Sequence, residues 1–216
     1  MDTQLDTAPS EVLVGPFGLR GLLAVPANAI GLVIFAHGSG SGRLSPRNNY
    51  VAEALRKAGC ATLLLDLLTP AEEVNRANVF DIALLAERLT SAAAWASRQL
   101  ALQGLPIGYF GASTGAGAAL VAATFAGPEI AAVVSRGGRP DLAGDSLPLV
   151  RAPTLLLVGS LDGPVIGLNR QAYAALKAPK ELVIIEGASH LFEEPGTLDQ
   201  VITHASRWFA GWFAKA

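Results

Sequence analysis

Several short runs in this chain are apolar from end to end: "GLVIFAH", "ATLLLD", "AAVVS", "PTLLLVG" and "LVIIEG". A strand with one face in water alternates apolar and polar residues, whereas a run without alternation needs cover on both faces. That requirement points to a mostly parallel sheet with helices on either side. Strand-length runs fall at Glu11–Gly15, Gly21–Val25, Gly31–Ala36, Ala61–Leu65, Pro106–Phe110, Ile130–Ser135, Thr154–Gly159 and Glu181–Glu186. Helical patterns lie between them, over about 46–58, 80–102, 114–126, 165–177 and 197–214. Ser45 before Pro46 is a cap followed by a first-turn proline, and Gly59 closes that helix. The last helix carries Val201, Ile202, Ala205, Trp208, Phe209 and Trp212 on one face. The link "PFGLR" between the first two runs predicts an antiparallel hairpin at the sheet edge.

The chain has 216 residues, 51% of them hydrophobic, enough for one sizeable core, so residues 1–216 are read as a single α/β domain. Charged residues are only 16%, too few for a solvated, disordered chain. Sixteen Lys and Arg against eighteen Asp and Glu leave −2, with no basic block. Nucleic acid and anionic membrane surfaces are therefore not expected as partners. Cys60 is the only cysteine and cannot form an internal disulfide, which fits a reducing, cytoplasmic setting. The opening "MDTQLDTAPSE" has neither the positive nor the apolar region of a secretory signal. No apolar run reaches the ~18–20 residues of a membrane span. Monomer and homodimer are both compatible with the aromatic C-terminal helix.

Ligands of open α/β sheets bind beyond the carboxyl ends of the strands. The residues arriving there are "AHGSGSG", Asp66, "GASTG", "SRGGR", "GSLDG" and "EGASHLF". They place a serine, an aspartate and a histidine in the chain order Ser113, Asp162, His190. A serine hydroxyl is a weak nucleophile until a base takes its proton, and imidazole is the natural base near neutrality. A carboxylate behind the imidazole fixes its tautomer and stabilises the imidazolium. Gly111 and Gly115 around Ser113 suit a strand–helix turn too tight for larger side chains. The backbone N–H of Thr114 and that of Ser39 are the expected oxyanion donors. Asp66 and Asp141 are rival acids, but the loop carrying Asp162 faces the histidine loop. His204 falls on the polar side of the last helix, and His37 precedes the oxyanion loop and more naturally shapes it. His37, Gly38, Arg136 and Arg139 are candidate substrate contacts, the arginines for a carboxylate. Glu72, Glu73, Arg76 and Asn78 form a polar loop that rims the cleft or is only solvated. No metal site is expected from three scattered histidines and one cysteine. No dinucleotide or phosphate-binding signature is present either, so no cofactor is expected.

With these motifs the sequence resembles the α/β-hydrolase superfamily, and within it the dienelactone-hydrolase-like family. The likeness runs through "FAHGSGSG", "LLLDLL", "GYFGASTGAGAAL", "VVSRGGRPDLA", "PTLLLVGSLDGPV" and "IEGASHLFEEPG", from about residue 30 to 196. It implies an eight-stranded, mostly parallel sheet with the second strand antiparallel and helices on both faces. The segment Gly137–Arg151 is too short for a large lid. The triad Ser113, Asp162, His190 falls on the family's motif positions. Dienelactone hydrolases proper use cysteine as nucleophile, so serine at 113 moves the expectation to a serine esterase acting on small to medium acyl esters. Lactone, thioester or peptide hydrolysis on the same triad is the alternative, as is a ligand-binding protein without turnover.

Overall fold

A computed structural model describes residues 8–216; the N-terminal stretch read for a secretory signal lies, over residues 1–7, outside the described residues. One eight-stranded sheet organises them, in the order β1-β2-β4-β3-β5-β6-β7-β8. The strands are β1 (Ser10–Val14), β2 (Leu19–Ala24), β3 (Leu32–Ala36), β4 (Ala61–Leu65), β5 (Ile107–Ala112), β6 (Ile130–Arg136), β7 (Thr154–Gly159) and β8 (Lys180–Ile185). β2 runs antiparallel to both β1 and β4, and every pairing from β4 to β8 is parallel. This is the α/β-hydrolase architecture.

Three of the all-apolar runs become strands buried at every position, β3, β4 and β7, as β5 also is, and a fourth, β6, is buried at all but Ala131. The fifth, "LVIIEG", becomes the edge strand β8, which is fully buried only at Ile185 because no strand pairs along its outer side as for the interior ones. On one face lie α1 (Pro46–Lys57) and α6 (Thr197–Phe213), which bury Val51, Leu55, Val201 and Phe209 against the sheet. On the other lie α3 (Ile82–Ala96), α4 (Thr114–Ala122) and α5 (Gly163–Ala175), with Leu85, Leu89, Leu120 and Ala172 inside. Ser45 caps α1 as expected, its hydroxyl accepting from the Asn48 N–H, with Pro46 in the first turn. The buried stripe of α6 is narrower and slightly rotated from the one expected: Val201, Ala205, Phe209 and Phe213 are buried, whereas Ile202, Trp208 and Trp212 are only partly covered.

Three expectations change. The helix expected over 80–102 ends at Ala96, and a 3-10 turn at Leu100–Leu102 follows an extended Gln99. The helix expected over 114–126 ends at Ala122. A short helix, α2 (Pro70–Glu73), opens the segment after β4. Pro140–Leu149 is a 3-10 segment whose Ala143 and Leu147 are buried in the core beside α4 and α5. It therefore packs down instead of rising over the cleft. Among the described residues no helix is long and apolar enough to cross a membrane.

Candidate active site

β5 ends at Ala112, α4 begins at Thr114, and Ser113 between them has φ 50° and ψ −124°. A non-glycine residue in that region is strained, and such strain persists only where the surroundings enforce it. Here the chain is pinned on both sides of the serine. The Arg139 N–H donates to the Ser113 carbonyl at 2.9 Å, and the Ser113 N–H to the Arg136 carbonyl at 3.4 Å. Small residues make the turn possible: a Cβ at Gly111 would lie 2.5 Å from the Ala116 Cα. One at Gly115 would run into the carbonyl oxygens of Ala36 and His37.

Asp162 follows β7 and His190 follows β8, so neighbouring parallel strands deliver both to the carboxyl end of the sheet. His190 Nδ1 lies 2.6 Å from Asp162 Oδ2. That contact puts the ring proton on Nδ1 and leaves Nε2 as the basic atom. The histidine loop is fastened by the Leu161 N–H on the Ala188 carbonyl at 3.0 Å and the Gly187 N–H on Ser160 Oγ at 2.8 Å. Ser189 donates its N–H to Glu194 at 3.0 Å. Both rival acids are engaged elsewhere. Asp66 binds the Arg43 guanidinium at 2.6 Å and the Arg43 N–H at 2.7 Å, and Asp141 holds Arg139 through contacts of 2.9 and 2.7 Å.

The loop after β3 lies against the serine: a Cβ at Gly38 would be 2.9 Å from the Ser113 Cβ. Next to it, the Ser39 N–H donates to Thr114 Oγ1 at 3.1 Å. Sequence reasoning valued Thr114 for its backbone N–H; its hydroxyl also docks the second candidate donor. His37 is buried and bonded at both ring nitrogens. Nδ1 meets the Gly38 carbonyl at 2.9 Å, and Nε2 accepts the Leu67 N–H at 3.1 Å. Burial holds its pKa below the ordinary value, although the Gly38 carbonyl and the Asp66 and Glu73 carboxylates act the other way. His37 thus joins the loops after β3 and β4. His204, by contrast, meets Arg207, at 3.3 Å on the exposed side of α6.

A cleft of about 690 Å³ opens beside Gly38 and Ser39, with Leu68, Val74, Phe80 and Leu85 among its walls. Its outer wall is the segment Thr69–Asp81. Thr69 and Glu72 form a capping box there, and Glu72 pairs with buried Arg88 at 2.5 Å. Asn78 donates to the Glu72 carbonyl at 2.8 Å. Glu72 and Asn78 therefore hold the segment in shape, while Glu73 and Arg76 line the cleft. Of the two arginines read as carboxylate contacts, Arg139 is held by Asp141 and Arg136 is buried beneath the His190 loop.

A crystallised dienelactone hydrolase from Anabaena variabilis is 55% identical, with a TM-score of 0.90 over 95% of this chain and 99% of its own. The chain belongs to the dienelactone hydrolase family. This α/β hydrolase is also similar to the esterase Est1E of Butyrivibrio proteoclasticus, at 15% identity and a TM-score of 0.80 over 96% of the chain, a likeness of fold. A Mycobacterium tuberculosis protein provisionally named a phosphoribosyl transferase is 58% identical over 208 residues, 96% of this chain and 47% of that protein. The chain thus spans about half the length of the curated relatives it matches. No family model matches the chain. Its one cysteine, Cys60, stands just before β4, buried, and burial pushes the thiol up to about 11. A thiol of that kind is inert.

Proposed function

We propose that the protein is a serine hydrolase that cleaves carboxylic esters of small to medium acyl groups through an acyl-enzyme on Ser113. The observation that carries this reading is the 2.6 Å contact of His190 Nδ1 with Asp162, from the loops after β8 and β7, in the same parallel sheet whose β5 ends at the strained Ser113 turn. In acylation, Ser113 Oγ attacks the ester carbonyl carbon while His190 Nε2 takes the hydroxyl proton. The oxyanion is held by the backbone N–H groups of Thr114 and Ser39, the latter turning from the Thr114 hydroxyl to the oxyanion. The carbonyl re-forms, the C–O bond breaks, and His190 returns the proton to the departing alcohol. Water, deprotonated by His190, then attacks the acyl-enzyme and releases the carboxylic acid and free serine. Leu68, Phe80 and Leu85 offer the substrate an apolar wall, and about 690 Å³ lies within the range of ordinary small-molecule sites. The transferase name of the mycobacterial relative belongs to a protein about half of which is matched, and it brings no second reading here.

A fluorophosphonate probe and a p-nitrophenyl ester series of increasing acyl length test the proposal. Ser113 should carry the adduct, and Ser113→Ala should abolish it. The same substitution should lower ester hydrolysis by roughly 10³-fold or more. An unlabelled Ser113 in the native protein, or hydrolysis that survives Ser113→Ala, would sink the reading.

A further inference from the structure

Arg136 ends β6 with 7% of its surface exposed, yet no ion pair involves it among the described residues. The other well-buried arginines differ. Arg88 pairs with Glu72 at 2.5 Å, and Arg43 pairs with Asp66 at 2.6 Å. A buried cation without an anion is costly to a fold. The charge that acts on it makes matters worse, because Arg47 is another guanidinium, and its own partner is Glu193 at 2.7 Å. Burial first, then Arg47, push Arg136 down to about 10. A group this unfavourable is retained for what it touches.

It touches both halves of the site. Its carbonyl accepts the Ser113 N–H at 3.4 Å. Its guanidinium donates to the carbonyl of Leu191, the residue after His190, at 3.5 Å, and to Asn48 Oδ1 on α1 at 3.3 Å. The next ring along the loop, Phe192, has its centroid 5.9 Å from the same guanidinium. Phe192 stands at φ 57°, a backbone state a bulky residue leaves unless it is held. Gly137, directly after Arg136, fits under the loop, where a Cβ would lie 2.8 Å from the His190 carbonyl.

We propose that Arg136 is a positioning residue that clamps the His190 loop to the strand end carrying the Ser113 turn, setting the approach of base to nucleophile. The inference rests on the reading of Ser113 and His190 as nucleophile and base. The planar fork suits the task, since one side chain reaches a loop carbonyl and a helix side chain together, which a point-charge ammonium does less well. The charge brings a stability cost, and the hydrogen bonds only partly offset it.

That balance supplies the test. Arg136→Met removes a disfavoured buried charge together with its hydrogen bonds, so Tm should stay within about 3 °C of the parent. The loop loses its clamp, and kcat should fall roughly 10–100-fold because a misplacement of about 1 Å is enough for that. KM should change by less than about twofold, as the cleft walls are untouched. Arg136→Lys, which keeps the charge but gathers its donors on a single nitrogen, should fall between the two proteins in kcat. Should Arg136→Met not fold, Arg136→Lys carries the test alone: reduced kcat at unchanged KM supports the clamp, and wild-type kcat overturns it. In a folded Arg136→Met protein, wild-type kcat likewise overturns the proposal. So does a fall in kcat accounted for entirely by a smaller folded fraction. Failure of the underlying reading appears elsewhere, as hydrolysis persisting in Ser113→Ala.

Discussion

His37, which lines the cleft, can set a pH limit through its burial. With Nε2 accepting from Leu67 and burial opposing charge, the folded state keeps the ring neutral below its ordinary value of 6.5. The unfolded chain binds that proton first. Stability from this residue is therefore fully present above about pH 6.5 and is lost as pH falls through the lowered folded value. Tm should drop between about pH 7 and pH 5, and the slope should be shallower in His37→Gln; equal slopes would overturn the assignment. Residue-level chemistry of this kind was only half legible in the sequence. The order Ser113, Asp162, His190 and the glycines around the serine could be read from spacing and strand ends. The reach of Thr114 Oγ1 to Ser39 and of Arg136 to Leu191 could not, because each depends on segments far apart in the chain.

At the scale of the element, α6 meets the sheet through a missing side chain. The Phe209 ring occupies the place where a Cβ at Gly108 would sit, 2.6 Å from Cε1. Gly108→Ala should destabilise the fold by about 1–3 kcal/mol, the usual cost of overpacking. Much of that should return in Gly108→Ala with Phe209→Leu, a coupling measurable by a double-mutant cycle in denaturant. Additive effects would mean that the ring does not bear on β5. Element boundaries were legible where caps and apolar runs coincide, as at Ser45–Pro46 and at β4 and β7. They were not where a helix stops early: helix-compatible sequence continues beyond Ala96 and Ala122, but the chain turns away there. The capping box at Thr69 and Glu72 was visible as a Thr-x-x-Glu pattern, and its polar surroundings drew the reading toward plain loop.

The whole molecule divides its candidate site unevenly. Ser113 leaves β5, an interior strand, whereas His190 leaves β8, the last strand of the sheet. β8 is fully buried only at Ile185. Cys60, on the opposite side near β4, is buried at the core and its thiol is pushed up to about 11. Local opening is easiest where few apolar contacts hold an element. In urea, ester hydrolysis should therefore fail at a lower concentration than the one at which Cys60 reacts with a thiol reagent. Coincident transitions would mean that β8 opens only with the rest. If the edge does open first, the protein has a dormant state: still folded around β3, β4 and β5, its serine in place, and idle until one strand zips back.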